Sequence, residues 1–255
     1  MNCHVLTMPQ GTEEWFEARA GLITASMFSE CRKRVGGLND QQKRYVDFLL
    51  SGSSEAEAKE WAGYKSKPKA AVIEKALNGE KVGDFTEAAH DYAFQIAVER
   101  LSGELLNEPE FDTWQARRGR ELEPEARLKY EIATESLVEQ TGIAIDHDYI
   151  FGASLDGLVD EDGNLEVKCF LSAKKLKSIL ISRDISGCMD QLQGGMWITG
   201  RAWCDFVLYC PILKSINKDL TVIRVCRDQE YIDALSSDMW EFNSLVESYI
   251  DKIKV

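Results

Sequence analysis

The sequence predicts an α/β protein with a central mixed β-sheet flanked by helices. Three observations carry this reading. Helical periodicity dominates the first 135 residues or so, the pattern turns to short strand-like runs from about residue 137, and a helix, two strands and a long helix then complete the chain. With 255 residues, 44% hydrophobic and 29% charged, the chain suits one large globular domain or two small ones. In the absence of an internal repeat or long linker, the simplest division is a single domain over 1–255 with a helical N-terminal portion.

The elements can be justified in order. "TEEWFEARAGLITASMFSECRKR" opens with Thr12, a capping residue followed by acids, as helix starts often are. "GLITAS" breaks that pattern, and a second helix is expected from Thr24 or Ser26. Residues 36–85 alternate charges with Gly and Ser and read as short helices and loops. "FTEAAHDYAFQIAVERLSG" places Ala89, Tyr92, Ala93, Ile96, Ala97 and Leu101 on one helical stripe. "RGRELEPEARLKYEIATE" reads as another helix. The segment 137–170 is rich in β-branched and aromatic residues, is punctuated by Gly and Asp-Gly, and reads as three strands. A helix over roughly 186–199, strands in "AWCDFVLYC" and "LTVIRVCR", and a long helix from Gln229 complete the chain.

Composition excludes several classes. No apolar run is long enough to cross a bilayer, and the N-terminus lacks the basic-then-apolar pattern of a signal peptide, so a cytoplasmic protein with no membrane partner is expected. Seven cysteines at 3, 31, 169, 188, 204, 210 and 226 form no C-x-x-C pair, which argues for reduced thiols and against zinc or iron–sulfur sites. The formal net charge of −13 argues against nonspecific coating of DNA. It does not exclude DNA as a substrate, because a basic groove can sit on an acidic body. Local basic patches occur at 32–34, 65–69, 117–120 and 174–177; each alone reads as a solvated helix face or loop.

The stretch "ASLDGLVDEDGNLEVKC" (153–169) carries Asp156 and the triplet Glu166-Val167-Lys168 around a turn signal at Asp162-Gly163. Glu166 and Lys168 share one strand face. A two-residue loop at Asp162-Gly163 would pair 159 with 166 and turn Asp156 to the other face. An odd-numbered loop, or a bulge near Gly157, would bring it round. If the three groups converge, two carboxylates offer hard oxygen ligands for Mg²⁺ or Mn²⁺, and the ammonium can orient water or stabilise a phosphodiester transition state. In isolation the motif more often marks an exposed charged hairpin.

Four motifs in order change that balance: "ARAGLITAS" (19–26 in its core), "GRELEPEAR" with Glu123, "SLDG…LEVKC" and "DQLQGGMW". Together they resemble the lambda exonuclease-like viral recombinase (alkaline exonuclease) family of the PD-(D/E)XK nuclease superfamily, in outline from about residue 12 to the C-terminal helix. The resemblance implies a restriction-endonuclease-like core and a Mg²⁺-dependent 5′→3′ exonuclease. Such an enzyme degrades one strand of double-stranded DNA from its ends, leaving 3′ single-stranded tails. It implies that Asp156, Glu166 and the Val167 carbonyl hold metal, with two ions expected and Mn²⁺ substituting for Mg²⁺. Lys168 is then the catalytic lysine, Glu123 the helical acid completing the site, and Gln191 the glutamine beside it. Arg19, Ser26 and Ser154 resemble a terminal 5′-phosphate pocket, where an arginine fork and hydroxyls suit the ligand. Asp146 reads as a loop aspartate in preference to a supporting acid.

The resemblance further implies a homotrimeric ring, with basic groups lining a channel, and a single-strand annealing protein as partner. The chain departs from the family at several points. Leu155 stands where Pro often precedes the first acid, and Cys188 stands where a tyrosine precedes the glutamine. Ala116, near the strand-splitting wedge position, is too small for that work. Residues at about 35–85 have no evident counterpart in the lambda enzyme and read as a helical insertion. The rival readings are an endonuclease or resolvase of the same superfamily, and a noncatalytic DNA-binding scaffold with this fold.

Overall fold

The computed structural model describes residues 3–80, 82–106 and 114–255, without the side chains of Gln115 and Ala116; the wedge position at Ala116 therefore lies outside the described residues. In chain order the elements are β1 (Cys3–Leu6), α1 (Glu13–Glu17), β2 (Ile23–Thr24), a 3₁₀ turn (Ala25–Met27) leading into α2 (Phe28–Cys31), β3 (Arg34–Val35), α3 (Asp40–Leu50), α4 (Glu55–Ala62), α5 (Ala71–Leu77), β4 (Asp84–Phe85), α6 (Glu87–Ser102) and α7 (Trp114–Thr134). They continue with β5 (Val138–Glu139), β6 (Ile143–Asp146), β7 (Phe151–Ala153), β8 (Gly157–Val159), β9 (Gly163–Lys168), α8 (Ala173–Ser182), α9 (Met189–Thr199), β10 (Trp203–Tyr209), β11 (Leu220–Cys226) and α10 (Gln229–Lys254). Two compact units form: Arg32–His90, and the remainder of the chain.

The larger unit has the expected α/β character with mixed sheets, but its described residues form two sheets where the sequence pattern gives one. The first has the order β1-β6-β7-β2, the second β11-β10-β9-β8-β5. In the second, β9 runs parallel to β10 and antiparallel to β8. Five short strands occupy 138–168, where the sequence reads as three. Their brevity hides them: β5 to β8 are two to four residues each, too short for a period to register. β1 and β2 lie in the portion read as helical, for the same reason.

Helices cover both faces of the five-stranded sheet. On one side Tyr130 of α7 packs with Val159, Leu165 and Val207. On the other lies α9, with Leu192 to Ile198 all buried; it also touches β6 and β7 of the first sheet. Gly194 permits this close packing, since a Cβ there would come within 2.6 Å of the Phe28 ring. Burial on both faces explains why β9 reads as nearly continuous burial, not as wet–dry alternation. The stripe on α6 holds at Ala89, Ala93, Ile96 and Ala97 but fails at Leu101, which is exposed. Arg100 continues the buried face instead, donating to the Gly21 carbonyl at 2.9 Å.

The smaller unit is built from α3, α4 and α5 around Tyr45, Val46, Ala58, Ala62 and Ile73. Asn39 and Ser54 start α3 and α4 with reciprocal capping boxes.

Candidate active site

Asp156 and the Glu166-Val167-Lys168 triplet meet because of the loop between β8 and β9. Val159 pairs with Gly163 and Gly157 with Leu165, so three residues, Asp160 to Asp162, form the turn. The odd loop brings 156 opposite 166, and the Asp156 amide donates to the Leu165 carbonyl at 3.2 Å. No bulge at Gly157 is involved. Nor does Gly163 make the turn: it is the first residue of β9, and a Cβ there would drive into the Trp203 indole ring. Asp160 takes a positive φ of 45°. Nη1 of Arg201 ties the loop down through the carbonyls of Val159, Asp160 and Gly163 at 3.2, 3.1 and 2.8 Å.

The face that Glu166 and Lys168 share is not a wet one. Glu166 is only 4% exposed, lying under α9. Lys168 Nζ lies 2.5 Å from Glu166 Oε1 and donates to Gln191 Oε1 at 3.2 Å. Gln191 Nε2 in turn donates to Glu166 Oε1 at 2.8 Å. The three side chains form a closed triangle, and Gln191 reaches it from the first turn of α9. Asp156 Oδ2 accepts the Val167 amide at 2.6 Å. Glu123, on α7, pairs with Arg127 at 3.1 Å.

Electrostatics follow from crowding three acids beside one ammonium. Removal from water, then the charges of Glu166 and Glu123, push Asp156 well above the usual carboxylate range. Glu123 is also raised, chiefly by burial; Arg127 opposes the shift and Glu166 adds to it. Burial alone would lower Lys168, but Glu166 and Asp156 outweigh it and hold the ammonium protonated.

The donor set fits a hard divalent cation. Positive charge is what the cluster lacks, and Oδ1 of Asp156 and Oε2 of Glu166 have no hydrogen-bond partner among the described residues. Among those residues no three His, Cys, Asp or Glu side chains form a cage by themselves. Two carboxylates and a carbonyl, completed by water and substrate oxygens, are the way Mg²⁺ is commonly held.

All nine residues singled out in the sequence line one cavity of about 660 Å³: Arg19, Ser26, Glu123, Ser154, Asp156, Glu166, Val167, Lys168 and Gln191. Arg19 Nη1 donates to Ser154 Oγ at 2.7 Å, and its guanidinium lies 4.4 Å from the centre of the Trp15 ring. It forms no ion pair among the described residues, and burial lowers its pKa. Ser26 Oγ lies 3.3 Å from Thr24 Oγ1. Asp146 stands apart: its Oδ1 accepts the amides of Ile150 and Phe151 at 2.8 and 2.7 Å, holding the turn into β7.

Sequence reasoning passed over other lining residues, including Gln10, Trp15, Arg118, Arg120, Phe170 and Lys175. Arg118, Arg120 and Lys175 belong to two basic patches that read singly as solvated surface. Their shared cavity was the signal, and it exists only in three dimensions. Arg118 Nη1 donates to the Cys169 carbonyl at 2.9 Å, and Lys175 lies over the Phe170 ring at 4.4 Å. All seven cysteines are free of disulfides.

Comparison with known proteins gives concordant results. The family profile of the YqaJ-like viral recombinase domain matches residues 14–202. Two structures of the alkaline exonuclease LHK-Exo from Laribacter hongkongensis, one of them in complex with dAMP, are each 28% identical to this chain. Each match covers 95% of this chain and 96% of that one, with TM-scores of 0.64 and 0.66. A phage-related exonuclease from Haemophilus somnus 129PT shares the fold at 16% identity, with 88% of this chain and 97% of that chain covered and a TM-score of 0.51. No curated protein sequence matches.

Proposed function

The chain belongs to the YqaJ-like viral recombinase family, and on that premise we propose that it is a Mg²⁺-dependent 5′→3′ exonuclease. It would digest one strand of double-stranded DNA from its ends and leave 3′ single-stranded tails for recombination. The observation that supports this most directly is the convergence of Asp156, Glu166, Lys168, Gln191 and Glu123 with Arg19, Ser26 and Ser154 around one cavity. The likeness to an alkaline exonuclease over nearly the whole of both chains supports the same reading.

In this reading Asp156, Glu166 and the Val167 carbonyl hold the divalent cations, with Glu123 closing the site and Mn²⁺ an acceptable substitute. When bound, the cation supplies a Lewis acid for the phosphodiester and for the attacking water. Lys168, kept as an ammonium by Glu166 and Asp156, faces the charge that develops on the scissile phosphate. Gln191 fixes the Glu166 carboxylate through the 2.8 Å bond. Arg19, with Ser26 and Ser154, receives the terminal 5′-phosphate and sets which bond lies at the acids. Cavity-lining Arg118, Arg120 and Lys175 offer cations to the strand on an otherwise acidic molecule. A homotrimeric ring and a single-strand annealing protein complete the proposal.

Digestion of linear duplex labelled at either end, with and without a 5′-phosphate, tests this reading. Mg²⁺-dependent release of mononucleotides from 5′-phosphorylated ends is expected, and is lost in Lys168→Ala and Asp156→Ala. Equal cutting of closed circular DNA would replace the exonuclease with an endonuclease. No hydrolysis by the wild type would leave a DNA-binding scaffold.

A further inference from the structure

The molecule's charge is unevenly shared. Arg32–His90 carries eleven Lys and Arg against nine Asp and Glu, while the rest of the chain carries nineteen against thirty-four. A chain of net charge −13 thus contains one compact unit of opposite sign. Charge asymmetry between parts of a chain is a mark of nucleic-acid contact.

That unit also exposes an aromatic face. Trp61, in the last turn of α4, is 69% exposed. It stacks on Phe48 of α3, with ring centres 5.0 Å apart and planes 23° from parallel. Phe48 covers one face of the indole, and the high exposure leaves the other to solvent. Ala58 and Ala62 on the same helix are buried in the unit's core, so the helix is anchored and the platform is held by packing. Arg44 lies one turn before Phe48 on the same face of α3 and is exposed. Lys65 follows Trp61 by four residues, just past the left-handed cap at Gly63. Lys43, Arg44, Lys65 and Lys69 form no ion pair among the described residues, whereas Lys67 is tied to Glu55 at 2.8 Å.

We propose that the Phe48–Trp61 stack with Arg44 and Lys65 is a binding surface for single-stranded nucleic acid. A base stacks on the open indole face and the cations meet flanking phosphates. Rigid aromatic faces with mobile cations beside them bind single strands with little sequence preference, because every base has a π-face. The positive sign of this unit, on an acidic chain, favours a polyanion over an apolar protein partner. The use of such a surface, holding the strand that digestion leaves unpaired, rests on the nuclease reading; its affinity for a strand does not.

The test uses the full chain in chelator, so that no turnover occurs, and fluorescently labelled oligo(dT) with a 5′-hydroxyl. Trp61→Ala should weaken binding by about 5- to 150-fold, the range for loss of one base–aromatic stack, and Trp61→Phe should restore most of it. Arg44→Glu with Lys65→Glu should lower the slope of log K against log salt by roughly 0.7 for each phosphate no longer neutralised. Trp61→Ala should digest short blunt duplexes at the wild-type rate. Unchanged oligo(dT) affinity in Trp61→Ala overturns the proposal. So does unchanged affinity with an altered sedimentation coefficient, which would make this face a contact between copies of the chain. A wild type that binds oligo(dT) but hydrolyses nothing would sink the nuclease reading and leave this surface standing.

Discussion

Arg19 gives the sharpest test of the proposal that the cavity reads a DNA end. Its guanidinium donates one hydrogen bond, to Ser154 at 2.7 Å, and rests against Trp15. It has no carboxylate partner among the described residues, and burial lowers its pKa, an unfavourable setting for a lone cation. In the proposed role, an arriving phosphate would remove that penalty and take up the remaining N–H groups. Hydrogen bonds between charged groups contribute about 1.5–3 kcal/mol, or roughly 10- to 150-fold in rate at a factor of ten per 1.4 kcal/mol. Arg19→Ala is therefore expected to lower kcat/KM on 5′-phosphorylated duplex by that factor, with little change on 5′-hydroxyl duplex. Arg19→Lys keeps the charge without the fork and should fall between. The assay is kcat/KM on both substrates for all three proteins, with thermal melting as a folding control. An equal fall on both substrates would refute the reasoning, because Arg19 would then be supporting the fold or the acids and not reading the end.

Other consequences follow from the same geometry. Asp156→Asn should abolish hydrolysis, by about 10³-fold or more, yet raise the melting temperature of metal-free protein. The folded pKa of Asp156 lies above its ordinary 3.8, so its favourable contribution is complete below that value and is lost as pH rises through the folded value. The stabilisation should vanish in acid and shrink when Mg²⁺ is added; a metal-free variant no more stable than wild type at pH 8 counts against it. Gln191→Ala should cost about 10- to 100-fold in activity or Mg²⁺ affinity by removing one of the two contacts that hold Glu166 Oε1, read from a Mg²⁺ titration of kcat. Gly163→Ala, which crowds the Trp203 ring, should cost about 1–3 kcal/mol, seen as a lower urea midpoint. Leu128, Ile132 and Leu137 are 56%, 71% and 80% exposed. In the proposed homotrimer such apolar side chains would be covered by a neighbouring copy, and Ile132→Glu should shift sedimentation toward the monomer.

The sequence was informative where chemistry repeats a spacing and uninformative where geometry is made by a loop. Thr12 caps α1 as its residue type suggests, its Oγ1 accepting the Trp15 amide at 3.3 Å. The i, i+2 relation of Glu166 and Lys168 sufficed to put them on one face. Whether Asp156 joined them was undecidable from the stretch itself, because a two-residue and a three-residue turn use the same letters. The deciding contacts come from Arg201 and Trp203, some forty residues onward. The division into two sheets was hidden because β6 and β7 are buried throughout and carry no alternation to count. Arg118 and Lys175 were passed over because charge on a helix or loop says nothing of which cavity it lines.

Ser154 and Asp156 are separated by one residue. Under the proposed function, one touches the arriving terminus and the other holds the cutting apparatus. Two residues of polypeptide span at most about 7 Å between Cα atoms, so under that reading the distance from the terminus to the bond cut would be set by the covalent chain at Leu155. Inserting a residue there would change the size of the fragment released, where most other changes would alter only how fast it is released.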